Sequence, residues 1–298
     1  MFMVIGATGN VGREAVDLLL EAGEKVAAVT RDPAAALPSG AQVVTGDPSR
    51  PDSLTAWPDG VEAVLLSPRA VSGAAAELLS LAAARGAQRV VVLSAATVEH
   101  PAGHRRFADE FRAVEEAVRR SGLQWTFLRC ADFASNALAW APQIRATGVV
   151  RGAYGSAATS PIHQRDIAEV AVQVLMTSKD AGHTGHAGHT GHAGHAGRAY
   201  LLTGPQSLDQ RDKVRLIGEA IGRDLSFQEL APEQVRQAML AQGLAEDIPD
   251  RLLGSLADYA NTPGPSTDTV ERLLGRPALT FAAWAAENAS AFMTPADS

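Results

Sequence analysis

Residues 6–12 read GATGNVG, directly after the apolar run MFMVI and at the head of VGREAVDLLLEAG. No other stretch restricts the fold as much. The run before it suits a buried strand, and the stretch after it carries Val11, Ala15, Leu18, Leu19 and Ala22, a helical stripe that ends at Gly23. A strand that passes into a helix this quickly needs glycine wherever a side chain would obstruct the turn. Gly6 allows the tight turn, Gly9 lets the backbone come close to a bound group, and Gly12 lets helix and strand pack together. Thr8, Asn10 and Val11 complete the loop. The first helical turn has N–H groups without intrahelical partners and a partial positive charge, which suits the pyrophosphate of a dinucleotide. A plain structural turn is the alternative that a glycine triplet leaves open.

Short apolar runs alternate with helical stretches through the first two-thirds of the chain, as in βαβ units on a parallel sheet. The expected strands are 1–6, 25–30, 41–46, 62–67, 88–94, 124–130 and 198–204. Beyond residue 205 come short amphipathic pieces separated by Pro and Gly, with one expected strand in LSFQEL. The predicted fold class is α/β, a doubly wound parallel sheet with a smaller, mostly helical C-terminal lobe. The expected boundary puts residues 1–204 in the dinucleotide-binding domain and 205–298 in a substrate-binding lobe.

The net charge of −7 argues against a nucleic-acid surface, which needs clustered positive charge. Cys130 is the single cysteine, so no intramolecular disulfide or multi-cysteine metal site is expected. No leader-like segment precedes the first strand and no 18-residue apolar run follows, so a cytoplasmic protein without a membrane segment is expected. One segment is repetitive: GHTGHAGHTGHAGHAG, with His183, His186, His189, His192 and His195. Imidazole binds transition metals, but a glycine at every third position opposes a helix and nothing apolar anchors the repeat. It is therefore read as a solvent-exposed loop, with no defined metal site.

The end of the second strand bears on which dinucleotide binds. NAD sites place an acid there for the ribose 2′-OH, whereas an arginine accommodates the 2′-phosphate of NADP. Here the order is Thr30-Arg31-Asp32-Pro33, so Arg31 is assigned to the phosphate and Asp32 to the turn; an arginine merely capping the strand is the alternative.

GATGNVGREAVDLLLEAG, VTRDP, TGDPSRPDSL, SGLQWTFLRCADFASN, HQRDIAEVAVQVL and YLLTGP together resemble the NmrA-like, atypical branch of the short-chain dehydrogenase/reductases. The resemblance spans nearly the whole chain except the His repeat. It implies an NADP(H)-binding Rossmann domain with a small lobe over a substrate cleft. It also implies that Asp47 lies near the adenine, and Ser67 and Ser94 near the nicotinamide ribose. Asp47 before Pro48 equally suits a turn.

Reductases of that superfamily use Tyr-x-x-x-Lys as the proton source. This chain cannot contain it, because its only tyrosines are Tyr154, Tyr200 and Tyr259 and its only lysines are Lys25, Lys179 and Lys213. In the corresponding region RFADEF places Phe107 and Phe111 four residues apart, read as packing residues or an aromatic wall. Substitute acid–base groups are sought after the strand ends, the usual ligand edge of such sheets. His104, Thr97 and Asp132 are the catalytic candidates, with a helix start for His104 and an N-cap for Asp132 as the bland alternatives. Phe107, Phe111, Phe133, Asn136, Trp140 and His163 are assigned to the substrate, and core packing is an equal reading of Trp140. The expected function is an NADP(H)-dependent oxidoreductase acting on a flat conjugated carbonyl or quinone, with natural-product tailoring as a context. A dinucleotide sensor without catalysis, or a cyclase or epimerase that retains its cofactor, is the alternative. The sequence leaves the oligomeric state open.

Overall fold

The computed structural model describes residues 1–103, 105–180 and 194–294. The strands are β1 (Phe2–Ile5), β2 (Val26–Thr30), β3 (Gln42–Thr45), β4 (Ala63–Leu66), β5 (Arg89–Ala95), β6 (Gln124–Cys130), β7 (Val149–Gly152), β8 (Arg198–Leu202) and β9 (Ser226–Glu229). The helices through the first part are α1 (Asn10–Glu21), α2 (Ala75–Ala84), α3 (Arg105–Arg120), α4 (Ala141–Thr147) and α5 (Gln164–Asp180). They continue with α6 (Gln210–Ile221), α7 (Pro232–Ala241), α8 (Asp247–Asn261), α9 (Thr269–Leu274), α10 (Phe281–Glu287) and α11 (Ala289–Phe292). These elements sort into two compact units: 1–98 with 109–130 and 164–201, and 99–108 with 131–163 and 202–298.

The first unit is built on a sheet of order β3-β2-β1-β4-β5-β6-β8, in which every pairing from β3 to β6 is parallel. All four residues of β1 are buried, as expected of a strand covered on both faces. On one face Met3, Ile5, Val64, Leu66, Val90, Val92 and Phe127 pack under Leu78 and Leu79 of α2 and Val114 and Val118 of α3. The alternate residues Phe2, Val4, Leu65 and Val91 are buried on the other face, where α1 packs against α5. Strand order reverses between β1 and β4, the switch point where doubly wound sheets open a crevice. The glycine loop leaves β1 at that point.

The second unit holds the parallel pair β7–β9 and a core of Ile144, Val150, Ile217, Phe281, Trp284 and Phe292. Strand β7 was not expected: it has four residues of which only Val150 is fully buried, too short for a readable alternation. The unit boundary also differs from the expected cut after residue 204. Residues 99–108 and 131–163 group with the C-terminal third: Ala134, Ala137, Ala141, Ile144 and Val150 find their packing partners in Phe281, Trp284 and Phe292, and Gly103 N donates to Asp258 Oδ2 at 2.7 Å.

His183, His186, His189 and His192 lie outside the described residues. His195 departs from the exposed-loop expectation, being only 5% exposed. Its Nδ1 lies 2.9 Å from the Tyr200 hydroxyl, and its carbonyl accepts a 2.8 Å hydrogen bond from Thr126 Oγ1. Gly197 N donates to Trp125 O at 2.8 Å. The end of the repeat is therefore tied to β6 and β8.

Candidate functional site

In the first unit, the loop between β1 and α1 is shaped by its glycines. Gly6 has φ +95°, a conformation that side chains oppose, and a Cβ there would meet Ser67 Cβ at 2.7 Å. Gly9 N donates to Gly6 O at 3.0 Å, closing the turn. A Cβ on Gly12 would stand 2.1 Å from Gly6 O, so helix and turn are packed backbone to backbone. Thr8, Gly9 and Asn10 are exposed, while Val11 is 4% exposed and serves packing. Helix α1 starts after Gly9 with no side-chain cap and no acidic residue in its first turn. The head of α1 carries partial positive charge with no acidic side chain in that turn to neutralise it, and the cradle fits a dinucleotide pyrophosphate.

Arg31 follows β2, is exposed, and has no carboxylate partner among the described residues. Asp32 is committed to its own turn: its Oδ1 accepts from Ala34 N at 2.9 Å, and its N–H donates to Thr30 Oγ1 at 3.1 Å. The arginine is therefore the group available to a 2′-phosphate. Charge-assisted, often bidentate bonds of this kind are strong. Arg31→Ala should weaken NADPH binding by about 1.5–3 kcal/mol, or roughly 10- to 150-fold, while NADH affinity stays nearly constant. Calorimetry with both cofactors checks this, and equal losses for the two would refute the assignment.

Asp47 organises the turn after β3. Its Oδ1 accepts from Ser49 Oγ at 2.8 Å and from Ser49 N at 3.0 Å, and these bonds together with Arg50 hold its carboxyl below the usual range. Ser67 sits at the end of β4 beside the glycine turn, its N–H donating to Ile5 O at 3.0 Å. Ser94 corrects an expectation. It is 4% exposed, and its Oγ donates to Glu115 Oε1 at 2.7 Å, so its hydroxyl faces α3 and not a ribose. Glu115 also accepts from Arg129 Nε at 3.0 Å, Arg129 Nη2 at 2.8 Å and Arg119 Nη2 at 2.9 Å. Burial alone would raise its pKa, but the bonds from Arg129 and Ser94 and the two arginine charges outweigh it and hold the carboxyl low. Thr97 lies in the turn just after β5, and its Oγ1 is buried without a hydrogen-bond partner among the described residues. Burial pushes the Cys130 thiol far up, which removes it as a nucleophile.

The second unit holds a polar cluster that corrects the assignment of Asp132 as an acid–base group or helix cap. The following 3₁₀ helix, Ala134–Trp140, is capped at Phe133, without a side-chain bond. Asp132 Oδ2 accepts from Lys213 Nζ at 3.0 Å and Thr159 Oγ1 at 2.9 Å, while Oδ1 accepts from Asn136 Nδ2 at 2.7 Å. Burial would raise its pKa, but Lys213 and the hydrogen bonds from Asn136 and Thr159 overcome that and lower it. An ionised, fully engaged carboxylate is a poor proton donor at neutral pH.

Phe107 and Phe111 lie on α3 and are half-buried, and the Arg251 guanidinium stands 4.6 Å from the Phe107 ring centroid. Phe133 is half-buried and bridges to Ile162. Trp140 packs on the core of the second unit, which favours its packing role. His163 is 1% exposed with Nε2 3.0 Å from Glu287 Oε2, so it is a buried residue and not an open wall of a pocket. His104 lies outside the described residues.

Sequence reasoning missed Lys213, Thr159 and Glu115. Lys213 did leave a trace: it falls with Gln210, Val214, Ile217 and Gly218 on the buried stripe of α6. A lysine on an apolar stripe requires a partner.

The sequence profile described as NAD(P)H-binding matches residues 6–178. The chain belongs to this NAD(P)H-binding family, within the NmrA-like, atypical short-chain dehydrogenase/reductases. It is 36% identical over 296 residues to the (4-alkanoyl-5-oxo-2,5-dihydrofuran-3-yl)methyl phosphate reductase of Streptomyces griseus subsp. griseus, covering 98% of this chain and 99% of that protein. It is 34% identical over 303 residues to the NAD(P)H azoreductase of Xenophilus azovorans, again covering 98% of this chain and 99% of the relative. The solved structure of an NADPH-dependent quinone oxidoreductase from Escherichia coli shares the fold with a TM-score of 0.78 at 24% identity, covering 96% of this chain and 99% of that one.

Proposed function

We propose that this protein is an NADPH-dependent oxidoreductase that reduces a flat, conjugated acceptor such as a quinone or an unsaturated carbonyl compound, without a tyrosine acid. The observation that carries the reading is an intact dinucleotide cradle in a chain with no Tyr-x-x-x-Lys. Bound NADPH supplies a hydride. The glycine loop and α1 hold the pyrophosphate, Arg31 selects the 2′-phosphate, and Ser67 stands beside the turn. A conjugated acceptor spreads the incoming charge over its π-system, so the anion survives until water protonates it. The sum is acceptor plus NADPH plus one proton giving reduced acceptor plus NADP⁺. The two relatives named above are a butenolide-type reductase and an azoreductase, and both names describe electron-poor conjugated acceptors. That shared chemistry supports the reading.

The second unit is assigned to the acceptor, with Asn136, Phe107 and Phe133 as its contacts. In the first unit Thr97 remains a catalytic candidate, its buried hydroxyl being without a hydrogen-bond partner among the described residues. No helix among the described residues is long and apolar enough to cross a membrane, and a cytoplasmic location and a part in natural-product tailoring belong to the same proposal.

The test is NADPH oxidation against a panel of naphthoquinones, azo compounds, butenolides and unactivated ketones, with product analysis. Turnover is expected on the conjugated members. Simple ketones should be poor substrates, because their alkoxide needs a proton as it forms. Tight NADPH binding with no turnover on any member would instead make the protein a dinucleotide sensor.

A further inference from the structure

Asn136 is exposed at the start of the 3₁₀ helix Ala134–Trp140, yet its amide is bonded to a half-buried carboxylate that is paired in turn with a buried lysine. Lys213 is 4% exposed and donates to both Asp132 Oδ2, at 3.0 Å, and Thr159 Oγ1, at 2.7 Å. Thr159, itself 5% exposed, donates in turn to Asp132 Oδ2 at 2.9 Å. The remaining carboxylate oxygen, Oδ1, meets Asn136 Nδ2 at 2.7 Å.

The chemistry of these groups makes one chain of cause. An ammonium beside Asp132 keeps its carboxylate ionised, and an ionised carboxylate can only accept hydrogen bonds. Asn136 must then turn its NH₂ group toward Asp132. The usual ambiguity between the two ends of an amide is removed. What Asn136 presents outward is fixed as well: its second N–H and its carbonyl oxygen. A quinone carbonyl accepts from that N–H. The hydroxyl formed on reduction donates to the carbonyl. One locked amide therefore serves the acceptor in both oxidation states.

We infer that Lys213, acting through Asp132, is the positioning residue that locks the Asn136 amide in one orientation toward the acceptor. This rests on the acceptor reading above, which sets Asn136 against the acceptor, and adds to it the group that orients that amide. Among the described residues Lys213 bonds Asp132 and Thr159 and no outward-facing group. Its effect on the acceptor is expressed only through Asp132 and Asn136, which distinguishes it from a purely structural ion pair.

The experiment measures binding of a 1,4-naphthoquinone to the full chain loaded with NADP⁺, where no hydride is available and affinity is read without turnover. Asn136→Ala should weaken quinone binding about tenfold, the loss of one well-made hydrogen bond. Lys213→Gln should weaken it to a similar degree, with NADP⁺ affinity unchanged. In the Asn136→Ala background, Lys213→Gln should cost no further quinone affinity, while its effect on melting temperature persists. If Lys213→Gln fails to fold with Asp132 left unpaired, the neutral pair Asp132→Asn/Lys213→Gln replaces it. An amide at position 132 can offer either a donor or an acceptor, so that pair should release the lock and give the same loss. Melting temperature falling with quinone affinity intact, losses that multiply in the double variant, or no quinone binding by the wild type would each overturn the inference. A wild type that binds quinone but does not oxidise NADPH would instead remove the oxidoreductase reading and leave this one standing.

Discussion

Replacing Gly12 with alanine will lower NADPH affinity by more than roughly 100-fold, equivalent to about 2.7 kcal/mol. The added Cβ would stand 2.1 Å from Gly6 O, 2.8 Å from Gly6 C and 3.0 Å from Ala7 Cα. All three are backbone atoms, so no side chain can swing aside. Either α1 retreats from β1 or the Gly6 turn opens, and both movements carry away the N–H groups that face the pyrophosphate. Overpacking of this kind also costs about 1–3 kcal/mol of stability. Gly9→Ala provides the graded comparison: its Cβ would lie 3.3 Å from Gly6 O, and the φ of −78° at Gly9 is ordinary for any residue. It should therefore fold like the wild type and lose less affinity. Fluorescence titration with NADPH, paired with thermal melts, reads both effects. Wild-type affinity in Gly12→Ala would show that the loop is not the pyrophosphate cradle.

Glu115→Ala should be strongly destabilising, although no apolar core residue is lost. Glu115 is 1% exposed and carries four hydrogen bonds, from Ser94, Arg119 and twice from Arg129. Its removal takes two hydrogen bonds from the Arg129 guanidinium, which is only 15% exposed. Breaking a buried pair from one side costs about 3–5 kcal/mol. The loss should depend on pH, with a definite sign. The folded-state pKa of Glu115 lies below its ordinary value of 4.5. The stability it contributes is therefore complete above that ordinary value and disappears as pH falls through the folded-state value. Urea melts at neutral pH should show the full gap between wild type and Glu115→Ala, and the gap should narrow on acidification. A gap of the same size at pH 3 and pH 7 would mean that lost packing, not charge, explains the destabilisation.

Much of the first unit is legible in the sequence because its signals are local. A strand, a glycine turn and an amphipathic helix within some twenty residues leave few choices, and the structure puts β1, the loop and α1 where that pattern requires. The lack of a tyrosine acid needs only a count of residue types. Ser94 was misread because β5 is covered on both faces: alternation in such a strand does not show which side a hydroxyl faces. Asp132 was misread for a different reason. Its partner lies 81 residues away on α6, and only the lysine on that helix's buried stripe hinted at it. The repeat was taken as one homogeneous loop, although Tyr200, Thr126 and Trp125 secure its final histidine and the glycine beyond. Local composition gives no sign of anchors that come from elsewhere in the chain.

The chain enters the second unit at residue 99, leaves it at 109, re-enters at 131, leaves at 164 and returns at 202. Helix α3 itself changes membership partway along, between Ala108 and Asp109. Modularity of the cut-and-join kind is therefore closed to this protein. A truncation after residue 204 would keep 131–163 while discarding Phe281, Trp284 and Phe292, the apolar partners that segment packs on. Transplanting the second unit from a relative would require exchanging 99–108, 131–163 and the C-terminal third together. A unit assembled from three stretches of sequence can be altered as a whole only through substitutions scattered over all three, because no single contiguous exchange carries it.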